Sequence, residues 1–216
     1  MDRRALLTGA KTAPLPSASL GPDYYTNAVL RTQDGEEVRF YDDLIKDKIV
    51  AINFIYTQCE AACPISTANL VKVQKALGDR LGRDVFMYSI TLKPWQDDPA
   101  ALKEYAKAHG VGPNWKFLTG DDYDLTSIRF KLFRWDHPAL DFNLEQHTGM
   151  VRVINDRLDR WGMCPTFATT RQLVDVISWV EPTRPLAVRQ HEGYAIQKKL
   201  NAETRSFMSK ATLARA

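Results

Sequence analysis

Ile49-Val50-Ala51-Ile52-Asn53-Phe54-Ile55-Tyr56-Thr57-Gln58-Cys59-Glu60-Ala61-Ala62-Cys63-Pro64 is the stretch on which the reading of this chain turns. Its first eight residues are nearly all apolar and rich in β-branched and aromatic types. Such a run reads as a strand buried on both faces of a sheet. Beyond it the period changes. Leu70, Val73, Leu77 and Leu81 recur at helical spacing, Pro64 suits the first helical turn and Gly82 the end. A buried strand therefore runs almost directly into a helix, and two cysteines occupy the junction.

Toward the N-terminus, Ala28-Val29-Leu30 and Val38-Arg39-Phe40 flank Asp34-Gly35, a hairpin signal. Toward the C-terminus, Val85 to Leu92 reads as a second buried strand. Asp97 or Asp98 can cap a helix through His109, with Leu102, Tyr105 and Ala106 on one face. Trp115 to Leu118 suits a short strand. Asp121 or Asp122 can cap a helix carrying Leu125, Ile128 and Leu132. Met150–Ile154 and Leu158–Trp161, joined through Asn155-Asp156, read as a second hairpin. Leu173, Val176, Ile177 and Val180 mark a last helix, stopped by Pro182. Strands alternating with helices imply an α/β fold: a central mixed sheet flanked by helices, with an N-terminal hairpin and a late hairpin added to a parallel core. Ligands bind such sheets beyond the carboxyl ends of the strands, and Cys59 falls at such an end.

The 216 residues suit one domain with extensions. Residues 1–22 mix Pro, Ser, Ala and Gly without periodicity and read as a flexible leader; 23–182 form the domain; 183–216 read as a basic appendage. That appendage holds seven Lys or Arg against Glu192 and Glu203, net +5, which leaves −2 for residues 1–182 of the total +3. A net charge this small, concentrated in a tail, argues against nucleic acid as a partner. No apolar run reaches the length of a membrane span. Met1-Asp2-Arg3-Arg4-Ala5-Leu6-Leu7 has the paired arginines of a twin-Arg export signal, but Lys11, Pro14 and Pro16 cut short its apolar part.

Three cysteines make a poor disulfide framework for this length. Cys59 and Cys63, four apart at a helix start, face the same way with Cβ atoms about 5–6 Å apart. A helix N-terminus favours thiolate, the form that attacks disulfides and binds soft metals. The pair reads as a redox dithiol or a metal grip, against the plainer alternative of two inert buried cysteines. Cys164, in Trp161-Gly162-Met163-Cys164-Pro165, reads as a small residue in a turn or as a reserve thiol. Among the histidines, His109 ends a helix, His137 precedes a proline and His191 lies in the tail. His147, just before the strand at Met150, is either an ordinary surface histidine or a ligand held at a strand entrance.

The run from Ile52 to Cys59, followed by Cys63-Pro64, resembles the Sco/SenC family of thioredoxin-fold copper proteins, which help to assemble the binuclear copper centre of cytochrome c oxidase. Asp42-Asp43-Leu44, Lys48-Ile49-Val50, Thr91-Leu92 to Asp97, Pro99 to Ala106 and His147-Thr148-Gly149-Met150 are similar to further family segments in the same order. The resemblance covers roughly residues 24–181. It implies a thioredoxin-like fold and one copper ion bound by Cys59, Cys63 and His147. It also implies a periplasmic setting, and as partner either the copper-bearing oxidase subunit or another copper chaperone. Two sulfurs suit Cu(I), and the imidazole also accommodates Cu(II). Lys93 stands where family members commonly have an aspartate, no membrane anchor is visible, and the basic tail has no counterpart.

Two functions follow. The first is a copper metallochaperone, a delivery protein and not an enzyme in the strict sense. The second is a thiol–disulfide oxidoreductase cycling Cys59 and Cys63 on the same fold, served by a thiol reductase. Its usual signature has two residues between the thiols, and this chain has three. A peroxidase or a redox-dead scaffold is a third reading, and the sequence identifies no base beside Cys59 to support peroxidase chemistry.

Overall fold

The computed structural model describes residues 19–133 and 149–182. The leader before Ser19, His137 and His147, and the basic tail with His191 lie outside the described residues. Helix α1 (Gly21–Tyr25) leads into the first hairpin, β1 (Val29–Thr32) and β2 (Glu37–Arg39). Strand β3 (Ile49–Ile55), helix α2 (Ala62–Leu77), strand β4 (Phe86–Thr91), helix α3 (Pro99–Ala108), strand β5 (Trp115–Gly120) and helix α4 (Asp122–Phe133) follow. Strands β6 (Met150–Asn155) and β7 (Arg160–Pro165) and helix α5 (Thr170–Val180) complete the described fold. The strands form a single sheet in the order β2-β1-β5-β4-β3-β6-β7. Only β3–β4 and β4–β5 are parallel pairs. The mixed sheet with a parallel core and two antiparallel hairpins is the one the sequence pattern implies.

Strand alternation divides the core into two clusters. Ala51, Ile55, Met87, Trp115, Phe117, Val151 and Val153 face α2, α3 and α5. Val50, Ile52, Tyr88, Ile90, Leu118 and Ile154 face α1, α4 and a wide turn at Phe40–Ile45. In that turn the Lys46 amide reaches back to the Tyr41 carbonyl at 2.9 Å, one residue beyond the α-helical partner. β3 is therefore covered on both sides, which is why its sequence is apolar at every position but Asn53.

Several boundaries differ from the sequence reading. Residues 19–22, assigned to the leader by composition, belong to the fold: Ser19 bonds Tyr41 and Asp156, and Gly21 opens α1. Helix α2 stops at Gly78, where φ is +53°, not at Gly82. Apolar spacing continued through Leu81, but a glycine in the left-handed region ends a helix at once. Of the two caps offered for α3, Asp98 takes the role, accepting the Ala101 amide at 2.8 Å. Cys164 lies inside β7 opposite Val151, not in a turn. Gly162 and Pro165 look like turn residues but serve an edge strand. A Cβ on Gly162 would come within 2.7 Å of Val176 Cγ1, so glycine lets α5 sit close, and proline is tolerated at an edge strand's end.

Candidate functional site

β3 ends at Ile55, at the carboxyl end of the parallel core, and the six residues that follow carry the chain to α2. A turn closes with the Cys59 amide on the Tyr56 carbonyl at 3.2 Å. Ala61, at the helix cap, offers no side-chain acceptor. Instead Cys59 Sγ accepts the Cys63 amide at 3.4 Å, satisfying one of the orphan donors of the helix start. Pro64 occupies another first-turn position, where its missing N–H costs nothing. The dithiol is thus part of the helix cap.

Both thiols are buried, Cys59 at 5% exposure and Cys63 at 1%, and neither is in a disulfide. Their surroundings nevertheless drive them apart. Burial raises the Cys59 thiol, but hydrogen bonds from the Cys63 backbone and side chain, the Ala61 backbone and the Tyr56 side chain outweigh it, so its pKa lies below the ordinary thiol value. Burial pushes Cys63 up to about 12, helped by the hydrogen bond it gives to Cys59 and by the charges of Cys59 and Asp97. One sulfur is a ready thiolate, and the other holds its proton.

The loop before Cys59 is anchored by Asp97, whose place in the sequence suggests only a helix cap. Asp97 is fully buried. Its carboxylate accepts the Thr57 amide at 3.1 Å and the hydroxyls of Thr57 and Thr91. Thr91 Oγ1 in turn accepts the Lys93 amide at 2.9 Å, and the Leu92 amide reaches the Ile55 carbonyl at 2.8 Å. The ends of β3 and β4 are knotted together directly beneath the cysteines. The signal available in the sequence was the doubled Asp97-Asp98, of which a helix start needs only one. Lys93 places its ammonium 4.0 Å from the centre of the Tyr56 ring. The departure noted in the sequence therefore bears on the residue that also bonds Cys59.

Behind Cys63, Thr67 Oγ1 pairs with the Tyr105 hydroxyl at 3.0 Å. Burial pushes that phenol up to about 12, with further contributions from the charges of Cys63, Cys59 and Asp97. Cys164 is buried in the same cluster as the dithiol, and burial raises its thiol. Among the described residues no group of three His, Cys, Asp or Glu side chains could hold a metal ion, so Cys164 does not complete a site with Cys59 and Cys63. His109 caps α3, with Nδ1 2.9 Å from the Tyr105 carbonyl and its ring stacked on Tyr105 at 4.0 Å between centroids. The structure thus brings Cys59 and Cys63 together and occupies His109 elsewhere.

The SCO1/SenC family model matches residues 20–180. The chain belongs to the SCO1/SenC family. It is similar to the SCO1 protein homolog of Bacillus subtilis, with 35% identity over 91 residues, 42% of this chain and 46% of that protein. The chain thus spans about half the length of the curated relatives it matches. Among solved structures, BsSco, described as a member of the Sco family of cytochrome c oxidase assembly proteins with a disulfide switch, is 26% identical. The match covers 78% of this chain and 94% of BsSco, with a TM-score of 0.58. Yeast Sco1, solved with copper bound, has the same fold at 20% identity and a TM-score of 0.57, covering 82% of this chain and 98% of the other. The thioredoxin-like SCO1/SenC fold is the one that the resemblance implied. No helix among the described residues is long and apolar enough to cross a membrane.

Proposed function

We propose that this SCO1/SenC protein binds a single copper ion through Cys59, Cys63 and His147 and delivers it during assembly of the copper centre of cytochrome c oxidase. The observation that carries this reading is the dithiol at the start of α2, with one sulfur already inclined to thiolate and both shielded from water. Soft sulfur donors favour Cu(I), and an added imidazole accommodates Cu(II). The residues fit the ion: Cys59 is a ready ligand, and Cys63 gives up its proton on binding. Cu(I) needs only the sulfurs, whereas Cu(II) calls for the nitrogen. The copper-bound structure of yeast Sco1 supports the metal, and the description of BsSco supports the process. The receiver is the copper-bearing oxidase subunit or another copper chaperone. The paired Arg3-Arg4 supports placement in the periplasm.

A second reading rests on the split between the thiols. A thiolate at Cys59 attacks a partner disulfide and forms a mixed disulfide, and one partner sulfur leaves as thiolate. Cys63 then loses its proton and attacks the Cys59 sulfur, releasing the partner as a dithiol and leaving a Cys59–Cys63 disulfide. The disulfide switch described for BsSco supports it. The two readings are compatible, because copper loading requires the reduced pair that a thiol reductase restores.

Titration of the reduced full chain with Cu(I) and then Cu(II), followed by metal analysis and visible absorption, tests the first reading. The expected result is about one copper per chain and a Cu(II)–thiolate band. His147→Ala should keep Cu(I) uptake and lose the band, and His109→Ala should do neither. A His147→Ala protein with an unchanged Cu(II) spectrum would leave the dithiol–disulfide reading as the better account.

A further inference from the structure

Tyr56, the first residue after β3, touches both sulfurs of the dithiol from one position in the chain. Its hydroxyl donates to Cys59 Sγ, and its backbone amide donates to Cys63 Sγ. Its carbonyl accepts the Cys59 amide at 3.2 Å, which closes the turn that carries Cys59. The ring itself carries a cation: Lys93 Nζ lies over it, 4.0 Å from the centroid. The other cation–ring contacts among the described residues are 5.2 Å or longer. The backbone of Lys93 is fixed independently. Its amide bonds Thr91 Oγ1 at 2.9 Å, and its carbonyl accepts the Gln96 and Asp97 amides at 2.9 and 3.0 Å. Tyr56 and Lys93 are both half-buried.

A cation over a phenol ring draws electron density toward the ring face. The O–H becomes a stronger donor, as linked polar contacts in a shielded setting polarise one another. Lys93 thus sharpens the hydroxyl that bonds Cys59. These bonds belong to the reduced pair. A thiolate accepts charge-assisted hydrogen bonds, whereas a disulfide sulfur is neutral and a weak acceptor. Closing the Cys59–Cys63 bond therefore forfeits the bonds from the Tyr56 hydroxyl and amide. Whatever stabilises the dithiol over the disulfide raises the reduction potential of the couple.

We propose that Tyr56, with Lys93 on its ring, biases Cys59 and Cys63 toward the dithiol, Lys93 acting as a positioning residue through the Tyr56 hydroxyl. The inference rests on the thiol–disulfide reading above and concerns the return step, reduction. A thiolate of a partner dithiol attacks the Cys59 sulfur, forms a mixed disulfide and releases Cys63, which takes up a proton. The partner's second thiol loses its proton and attacks the partner sulfur of that bond. Cys59 leaves last, as the thiolate that the Tyr56 hydroxyl and the Cys63 amide receive. Two electrons pass from the partner, which ends as a disulfide. Of its two protons, one rests on Cys63 and one goes to water.

The test equilibrates the metal-free full chain with mixtures of reduced and oxidised glutathione at a single neutral pH. Alkylation and peptide mapping then give the fraction of Cys59–Cys63 disulfide. Tyr56→Phe keeps the ring and removes the hydroxyl. It should lower the dithiol-to-disulfide equilibrium constant about tenfold, the scale of a hydrogen bond to a charged group. Tenfold is a potential lower by about 30 mV for this two-electron couple. Lys93→Met should lower the constant about two- to fivefold, and Lys93→Arg should restore it. In the Tyr56→Phe background Lys93→Met should add nothing, because the hydroxyl through which it acts is gone. A folded Tyr56→Phe chain with the wild-type constant overturns the inference, as does an undiminished Lys93→Met effect in that background. If Tyr56→Phe does not fold, equal constants for wild type and Lys93→Met overturn it, and a loss that Lys93→Arg repairs supports it. If the disulfide forms in every variant with one constant, the inference alone has failed. If the wild-type chain forms no Cys59–Cys63 disulfide even in excess oxidised glutathione, the thiol–disulfide reading has failed and the inference falls with it.

Discussion

On one face of the sheet, Val50, Ile52, Tyr88, Ile90, Leu118 and Ile154 meet Tyr25, Phe40, Leu44, Ile128 and Leu132 in an aliphatic and aromatic core. On the other, the face whose core includes the two thiols, the same strands bury Asn53, Ser89 and Thr91. Ser89 donates to Asn53 at 2.7 Å and receives the Trp115 indole N–H at 3.0 Å. Asp97, Thr67 and Thr166 continue this polar interior toward the carboxyl end of the sheet. The first face holds the strands together by apolar packing. The second accepts the cost of buried polar groups, each needing partners, and in return holds the loop and helix that carry Cys59 and Cys63. Alternation along β3 lets one strand serve both purposes.

The sharpest way to separate the faces is to remove a sulfur. Cys59→Ser or Cys63→Ser should abolish tight copper binding, because one thiolate and one imidazole remain, while thermal melting changes by little. Stoichiometric, tight binding by either variant would break the assignment of chemistry to this face. The converse change is Ile52→Ala, on the apolar face. Ile52 is fully buried, and emptying such a site costs about 2–5 kcal/mol. Chemical denaturation should show that loss, with copper stoichiometry intact in the folded protein. A copper defect without a stability defect would mean that the faces are not separable.

Asp97→Asn should fall between the two. It replaces an acceptor-only carboxylate beneath Thr57 and Thr91 with a group that has one acceptor fewer. A loss of about 1.5–3 kcal/mol is expected, the scale of hydrogen bonds to a charged group. A variant as stable as wild type would show that the knot between β3 and β4 does not depend on this carboxylate.

Alkylation of the reduced, metal-free chain sharpens the contrast within the site. The Cys59 pKa is lowered, so its thiolate is present at pH values where an ordinary thiol is protonated. Cys63 keeps its proton until pH nears about 12. Peptide mapping after brief iodoacetamide treatment at neutral pH should find label on Cys59 ahead of Cys63. Rising pH should increase the Cys59 rate until its own pKa is passed and leave Cys63 slow. Faster labelling of Cys63 would reverse the roles given to the two sulfurs. The smallest effect is expected of Cys164→Ser, which should leave copper stoichiometry unchanged by metal analysis. Loss of copper from that folded variant would bring β7 into the ligand set.

The strong periodicities were legible in the sequence: the apolar run at 49–56, the Asp34-Gly35 hairpin and the helices at α3, α4 and α5 appear where the spacing places them. The pairing of Cys59 with Cys63 was legible too, since four residues at a strand-to-helix junction leave the thiols little choice. What escaped depends on partners distant in sequence. Asp97 is a plausible cap until Thr57, forty residues earlier, is seen donating to it. Thr166 is one of many threonines until Ser66, one hundred residues earlier, is found against it. Gly162 suggests a turn at Cys164, because the reason for that glycine is Val176 on another element. The wide turn at Phe40–Ile45 has no periodic signature at all.

X-ray absorption at the copper edge of the Cu(II)-loaded chain, beside His147→Ala, tests the central claim most directly. Two sulfur scatterers and the multiple-scattering pattern of an imidazole are expected in the wild type, with the sulfurs retained and the imidazole pattern absent in the variant. A first shell with fewer than two sulfurs, or an imidazole pattern that survives the loss of His147, would contradict the site proposed for Cys59, Cys63 and His147.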